Sequence, residues 1–159
     1  MLNSTLFEKA QLRHAIYYLD RLKQATSSFN EDMHTQAFRQ FESDWLQIQK
    51  AHQWAIDSSQ KVDVMRLIVS FPMYGNELLE IRQTVTERIR WLSVGIDAAE
   101  KLNDKRAVMQ HNLQLSRCYL TISENQMGIE KAQLTLDISL EIGNPLYESR
   151  ALTLMSNHL

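Results

Sequence analysis

The 159-residue chain is poor in several things at once, and each shortage excludes a class of protein. It has four glycines and two prolines, too few for a loop-rich or multi-turn β fold, and suited to long helices joined by short links. A single cysteine, Cys118, excludes an internal disulfide framework. The net charge of −2 provides no basic face for DNA or RNA, so no nucleic acid is expected as a partner. No apolar run approaches the roughly 18 residues of a membrane span. The first residues, MLNSTLFEKAQLRH, lack a basic segment followed by an apolar one, so no signal peptide is read there. The expectation from these absences is a cytoplasmic protein that neither enters nor crosses a membrane.

What is present is helical periodicity. Leu6, Leu12, Ile16, Leu19 and Leu22 predict a first helix over about residues 4–28 with those residues as its buried stripe. Residues 27–32 read as a turn, with Asn30 or Asp32 capping the next helix over about 33–57. Its stripe is Phe38, Phe41, Trp45, Ile48 and Ala55, completed by His52. A third helix starts near Lys61 and buries Leu67, Ile68 and Phe71. Pro72 and Gly75 predict a kink or break over 71–76, after which a short helix resumes through 78–82. Thr84 and Glu87 have the spacing of a capping box and open a helix over about 85–102. Asn103 and Asp104 separate it from the next, over 105–122. Residues 123–126 form another turn. The helix that follows runs to Ile142, where Gly143 suits a left-handed stop and Pro145 a new first turn. Nothing reads as a strand.

A repeat organises the second half. Residues 96–104, IDAAEKLND, return forty residues later as residues 136–144, LDISLEIGN. Each copy is followed by a polar, helix-compatible run. A fixed period of this size with two helices per unit is the mark of an α-solenoid. The expected fold is therefore all-α, an antiparallel array of helical hairpins with about seven helices. It is expected to form one domain over 1–159, with an N-terminal helical pair over 1–60 and repeat units over 61–159. The last helix lacks a partner within the chain, which predicts either a piece of a longer array or an edge finished by another molecule.

The residues 135–144, TLDISLEIGN, and more loosely 95–104, GIDAAEKLND, resemble the end of the second helix in tetratricopeptide repeats of the longer type. Counting back along that pattern puts Ser116 and Tyr119 at the small and aromatic positions of the first helix. Gly128 falls where the second helix usually has alanine. A small residue there allows the two helices to cross closely, at a propensity cost of up to about 1 kcal/mol. Residues 41–55, FESDWLQIQKAHQWA, resemble a helix near the start of the repeat region in bacterial NB-ARC-type signalling ATPases and related regulators. Glu42, Ile48, Ala51, Trp54 and Ala55 match, and Gln47 replaces the usual Asn. Arg13-His14-Ala15 with Tyr17-Tyr18-Leu19, and Glu87, Arg90, Trp91 and Leu92, resemble the flanking helices. The ATPase chemistry of that family needs a G-x-x-x-x-G-K-[ST] loop, and none of the four glycines here stands in one. The resemblance implies the sensor or scaffold part, without nucleotide or other cofactor.

Chemistry-bearing residues are weighed against packing roles. His14, His34, His52, His111 and His158 show no H-x-x-x-H or H-E-x-x-H spacing, and no C-x-x-C exists, so no metal site is predicted. Cys118 lies two helical turns from His111, about 10 Å along the axis, beyond a direct bond within one helix. It is read as a packed residue. Trp45, Trp54 and Trp91 are read as packing aromatics. Glu77 and Glu80, and the mixed charges over 82–90, are read as solvated faces.

No catalytic residue is predicted. In tetratricopeptide arrays the first helix of each unit lines the concave face. That implies a partner-binding set of Gln110, Leu113, Arg117 and Thr121 from one unit and Arg150, Thr153 and Asn157 from the next, with Met73 and Glu77 from the unit before. Arg117 and Arg150 would act as fork-shaped donors to a carboxylate-bearing peptide. The leading expectation is thus a non-catalytic scaffold holding a protein or peptide. The second is a homo-oligomer joined through its C-terminal edge, where Leu152, Leu154 and Met155 are apolar. A small helical enzyme using Cys118 or a histidine is the remote third.

Overall fold

The computed structural model describes residues 2–31 and 34–159. Among them the chain is all-α, with eight helices and no strand. These are α1 (Leu2–Asn30), α2 (His34–Asp57), α3 (Val62–Tyr74), α4 (Asn76–Arg82), α5 (Val85–Lys101), α6 (Lys105–Thr121), α7 (Asn125–Ile142) and α8 (Pro145–Asn157). Asp32, one of the two expected caps of the second helix, and Met33, its expected first residue, lie outside the described residues. No described helix is long and apolar enough to cross a membrane. The chain forms two compact units, one ending at Arg82 and the other beginning at Gln83.

In the first unit α1 packs along α2, and α3 rests on both. The buried face of α1 is Ala15, Leu19, Leu22 and Ala25. Leu6 and Ile16, expected on that face, are instead 62% and 44% exposed. The stripe of large residues misled because alanines bury more readily here. Ala15 and Ala25 have almost no side chain to keep a neighbouring helix away, so close packing selects their face. On α2 the expected stripe is buried at Phe41, Trp45, Ile48, His52 and Ala55, while Phe38 is half-buried. Asp44 is buried too, and Arg21 of α1 donates through Nε to its Oδ2 at 2.5 Å. This pair raises the Arg21 pKa above its ordinary value. A buried carboxylate needs such a partner.

Pro72 sits inside α3 without ending it. The break comes at Gly75, whose N–H still reaches the Phe71 carbonyl at 3.1 Å. A Cβ on Gly75 would fall 2.7 Å from Leu22 Cδ2 and 3.0 Å from Leu79 Cδ1. The glycine therefore lets the chain turn against α1, and α4 starts directly after it.

The second unit is built of helices that each pack on the next, with a further contact between α6 and α8. Its starts follow the sequence closely. Thr84 and Glu87 form the complete capping box of α5. Asp104 accepts from the Ala107 N–H at 3.0 Å, and Asn144 from the Tyr147 N–H at 3.3 Å, with Pro145 in the first turn of α8. The stops are alike as well. Asn103, Ser123 and Gly143, spaced by twenty residues, have φ of 55°, 60° and 67°. At each, two backbone bonds close the preceding helix. The 103, 123 and 143 amides bond Glu100, Leu120 and Leu140, and the following amides bond Ala99, Tyr119 and Ser139. This is the Schellman arrangement, and its last residue is in each case the first cap of the next helix. Apolar clusters fill the interior. One is Leu92, Leu115, Cys118 and Tyr119, and another is Leu113, Ala132 and Leu154.

Candidate functional site

The sequence points to the α6 and α8 surface. Arg117 and Thr121 are exposed on α6, and Arg150, Thr153 and Asn157 are exposed on α8. The two helices touch, so these residues belong to neighbouring elements. The Arg150 guanidinium lies 5.4 Å from the centre of the Tyr147 ring, a cation–π contact that restrains the side chain. Thr121 and Thr153 donate back to the Arg117 and Ser149 carbonyls of their own helices at 3.1 and 2.9 Å. Their hydroxyl protons are therefore engaged locally. Gln110 is half-buried. Leu113 departs from the expected set: it is 3% exposed and packs with Ala132 and Leu154. It joins α6, α7 and α8, a core role that removes it from a partner surface. Met73 is half-buried and Glu77 exposed, both in the first unit.

The residues weighed for chemistry are mostly interior. Cys118 is 6% exposed inside its apolar cluster. Its neighbour Tyr119 has a pKa pushed above the ordinary value, chiefly by burial. His52 meets Phe71 edge-on, ring centres 5.7 Å apart, and His111 is 1% exposed. His158 is 2% exposed and belongs to a polar knot. Its Nε2 lies 3.0 Å from the Ser116 carbonyl, which can only accept, so the ring proton sits on Nε2. Ser116 in turn donates its hydroxyl to the Gly128 carbonyl at 2.8 Å. The small residues of α6 and α7 thus meet directly. Among the described residues no three His, Cys, Asp or Glu side chains group so as to hold a metal ion.

The three tryptophans part company. Trp45 and Trp91 are buried, as packing aromatics should be, while Trp54 is half-buried and lines a cavity of about 390 Å³ in the first unit. The cavity lies where α1, the end of α2 and the start of α3 come together. Glu8, Lys9 and Leu12 come from α1, Trp54 and Asp57 from α2, and Lys61 caps α3. Glu8 and Lys61 pair at 2.6 Å across its rim. Trp54 and Asp57 also line a shallower groove with His14 and Gln47, whose side chains meet at 3.1 Å. The apolar stripe of α2 leaves Trp54 out, but its place in a cavity is not visible in the helix, because the cavity is formed with residues more than forty positions away. The i, i+3 pairing of an aromatic with a carboxylate at a helix end is the one local hint.

No protein-family model, curated protein or solved structure matches the chain.

Proposed function

We propose that this chain is a non-catalytic interaction or sensor scaffold, built from tetratricopeptide-like helical pairs and holding a protein or peptide partner on the α6 and α8 surface. One observation carries the reading. The three connections of the second unit share the same left-handed stop, the same pair of closing bonds and the same cap position at twenty-residue intervals. Such uniformity is what a stack of equivalent helical pairs needs, because each unit must be handed to the next at a constant angle. The forty-residue sequence period and the meeting of Ser116 with Gly128 support it further.

Arg117 and Arg150 supply the contacts. Both are exposed arginines, suited to paired hydrogen bonds with carboxylates. The resemblance of residues 13–92 to the repeat region of signalling ATPases makes a regulator of that kind the natural setting, with the chain acting in the cytoplasm. Crosslinking and pull-down with Arg117→Ala and Arg150→Ala variants test the surface. Loss of partner capture in both is expected, and full retention would remove the assignment.

Self-association is a second reading, motivated by exposed Leu134 and Leu140 on α7 and Leu146 and Leu152 on α8. Exposed apolar residues concentrated at one end of a helical stack favour association. Light scattering across a concentration series decides it, since a strict monomer would exclude it.

A further inference from the structure

We propose that the cavity around Trp54 binds a small zwitterion with an apolar body, of the class of aromatic or branched α-amino acids. The volume, about 390 Å³, falls in the range of small-molecule sites. Its apolar lining comes from Leu12, Val64 and the half-buried Trp54. Its charged lining balances, with Glu8 and Asp57 against Lys9 and Lys61. A simple cation or a simple anion would meet as much repulsion as attraction there. A dipolar ligand can satisfy both signs.

The charges are also sorted. Glu8 and Lys61 neutralise each other at 2.6 Å, which leaves Lys9 and Asp57 to face an occupant. Gln53 engages Oδ1 of Asp57 at 2.9 Å, and a carboxylate retains a second acceptor oxygen. The end of α2 reinforces this division. α2 terminates at Asp57, where its dipole favours an ammonium group. α3 begins beyond Lys61, and its own first turn already carries the carboxylate of Asp63, so Lys9 is the group left to draw a ligand carboxylate. An amino acid would set its ammonium against Asp57, its carboxylate towards Lys9 and its side chain on Trp54.

Isothermal titration of the full chain with L-phenylalanine and L-leucine, and with phenethylamine and 3-phenylpropanoate as single-charge controls, tests this. Saturable one-site binding of at least one amino acid is expected, with each control at least tenfold weaker. Lys9→Gln should bring L-phenylalanine down towards the amine, and Asp57→Asn should bring it down towards the acid. Both positions line the cavity from exposed helix surface, and circular dichroism verifies that the variants remain folded. Failure of both amino acids to bind overturns the proposal. So does equal binding of either control, or an affinity unchanged by either substitution.

Discussion

The imidazole of His158 lies against the backbone of Gly128, so near that a Cβ on the glycine would fall 1.9 Å from Cε1 and 2.2 Å from Nε2. The histidine takes the space that a methyl group on the glycine would fill. Ser116 joins them, donating to the Gly128 carbonyl and accepting the histidine on its own. Three residues from α6, α7 and the cap of α8 are thereby locked into one polar contact.

Gly128→Ala should therefore destabilise the protein although alanine is the better helix former. Overpacking of this kind costs about 1–3 kcal/mol, against a propensity gain of about 1 kcal/mol. In a His158→Ala background the clash is gone and the same substitution should stabilise. A double-mutant cycle by urea denaturation measures the change of sign. Equal effects of Gly128→Ala in the two backgrounds would show that the ring does not depend on the missing methyl.

Helix existence was readable from the sequence because caps and stops are local chemistry. Thr84 with Glu87, Asp104, Asn144 with Pro145, and Gly143 act through neighbours three to five residues away. The face that each helix buries is decided by distant partners, and there the sequence was less reliable. Counting large apolar residues chose Leu6 and Ile16 on α1, whereas the packing chose Ala15 and Ala25. The site suffered most. Leu113 shares a helix with Arg117 one turn away, and only the position of α7 and α8 reveals that one enters the core while the other stays in solvent. Trp54 becomes distinct only when α1 and α3 close a cavity over it.

Ser123 holds a left-handed φ of 60° at the stop of α6, where its counterpart Gly143 has φ 67° without side-chain strain. Replacing Ser123 with glycine should stabilise by about 1 kcal/mol, since the left-handed region is costly for a residue with a Cβ. Asn103→Gly should gain less, because asparagine tolerates that region better. Gly143→Ala should lose about 1 kcal/mol, and purely through the backbone, as nothing lies within 4 Å of a Cβ placed there. Thermal or urea unfolding of the three variants checks the ranking. A destabilised Ser123→Gly protein would contradict the strain argument.

Leu113 and Arg117 should separate cleanly in a stability assay. Leu113→Ala empties part of the cluster with Ala132 and Leu154 and should cost about 2–5 kcal/mol. Arg117→Ala, at an exposed position, should cost no more than about 1 kcal/mol, the most that a solvent-screened contact contributes. If the two substitutions were equally damaging, Arg117 would be a structural residue, and its place in partner capture would have to be abandoned.

Tyr119 imposes an alkaline limit on the second unit. Burial raises its pKa above the ordinary value of 10.0, with Cys118 and Glu124 adding to the shift. The folded state then keeps the phenol proton at a pH where the unfolded chain has released it. With more protons bound in the folded than in the unfolded state, stability must fall as pH rises. The neutral phenol's contribution is intact below pH 10 and declines from there up to the folded pKa. Tyr119→Phe removes the titrating group while keeping the ring in its cluster with Leu92, Leu115 and Cys118. Urea midpoints measured from pH 8 to 11 should therefore fall less steeply in the phenylalanine variant than in the natural chain. Parallel declines in the two proteins would mean that the phenol ionises as readily folded as unfolded, and that its burial does not govern the alkaline limb.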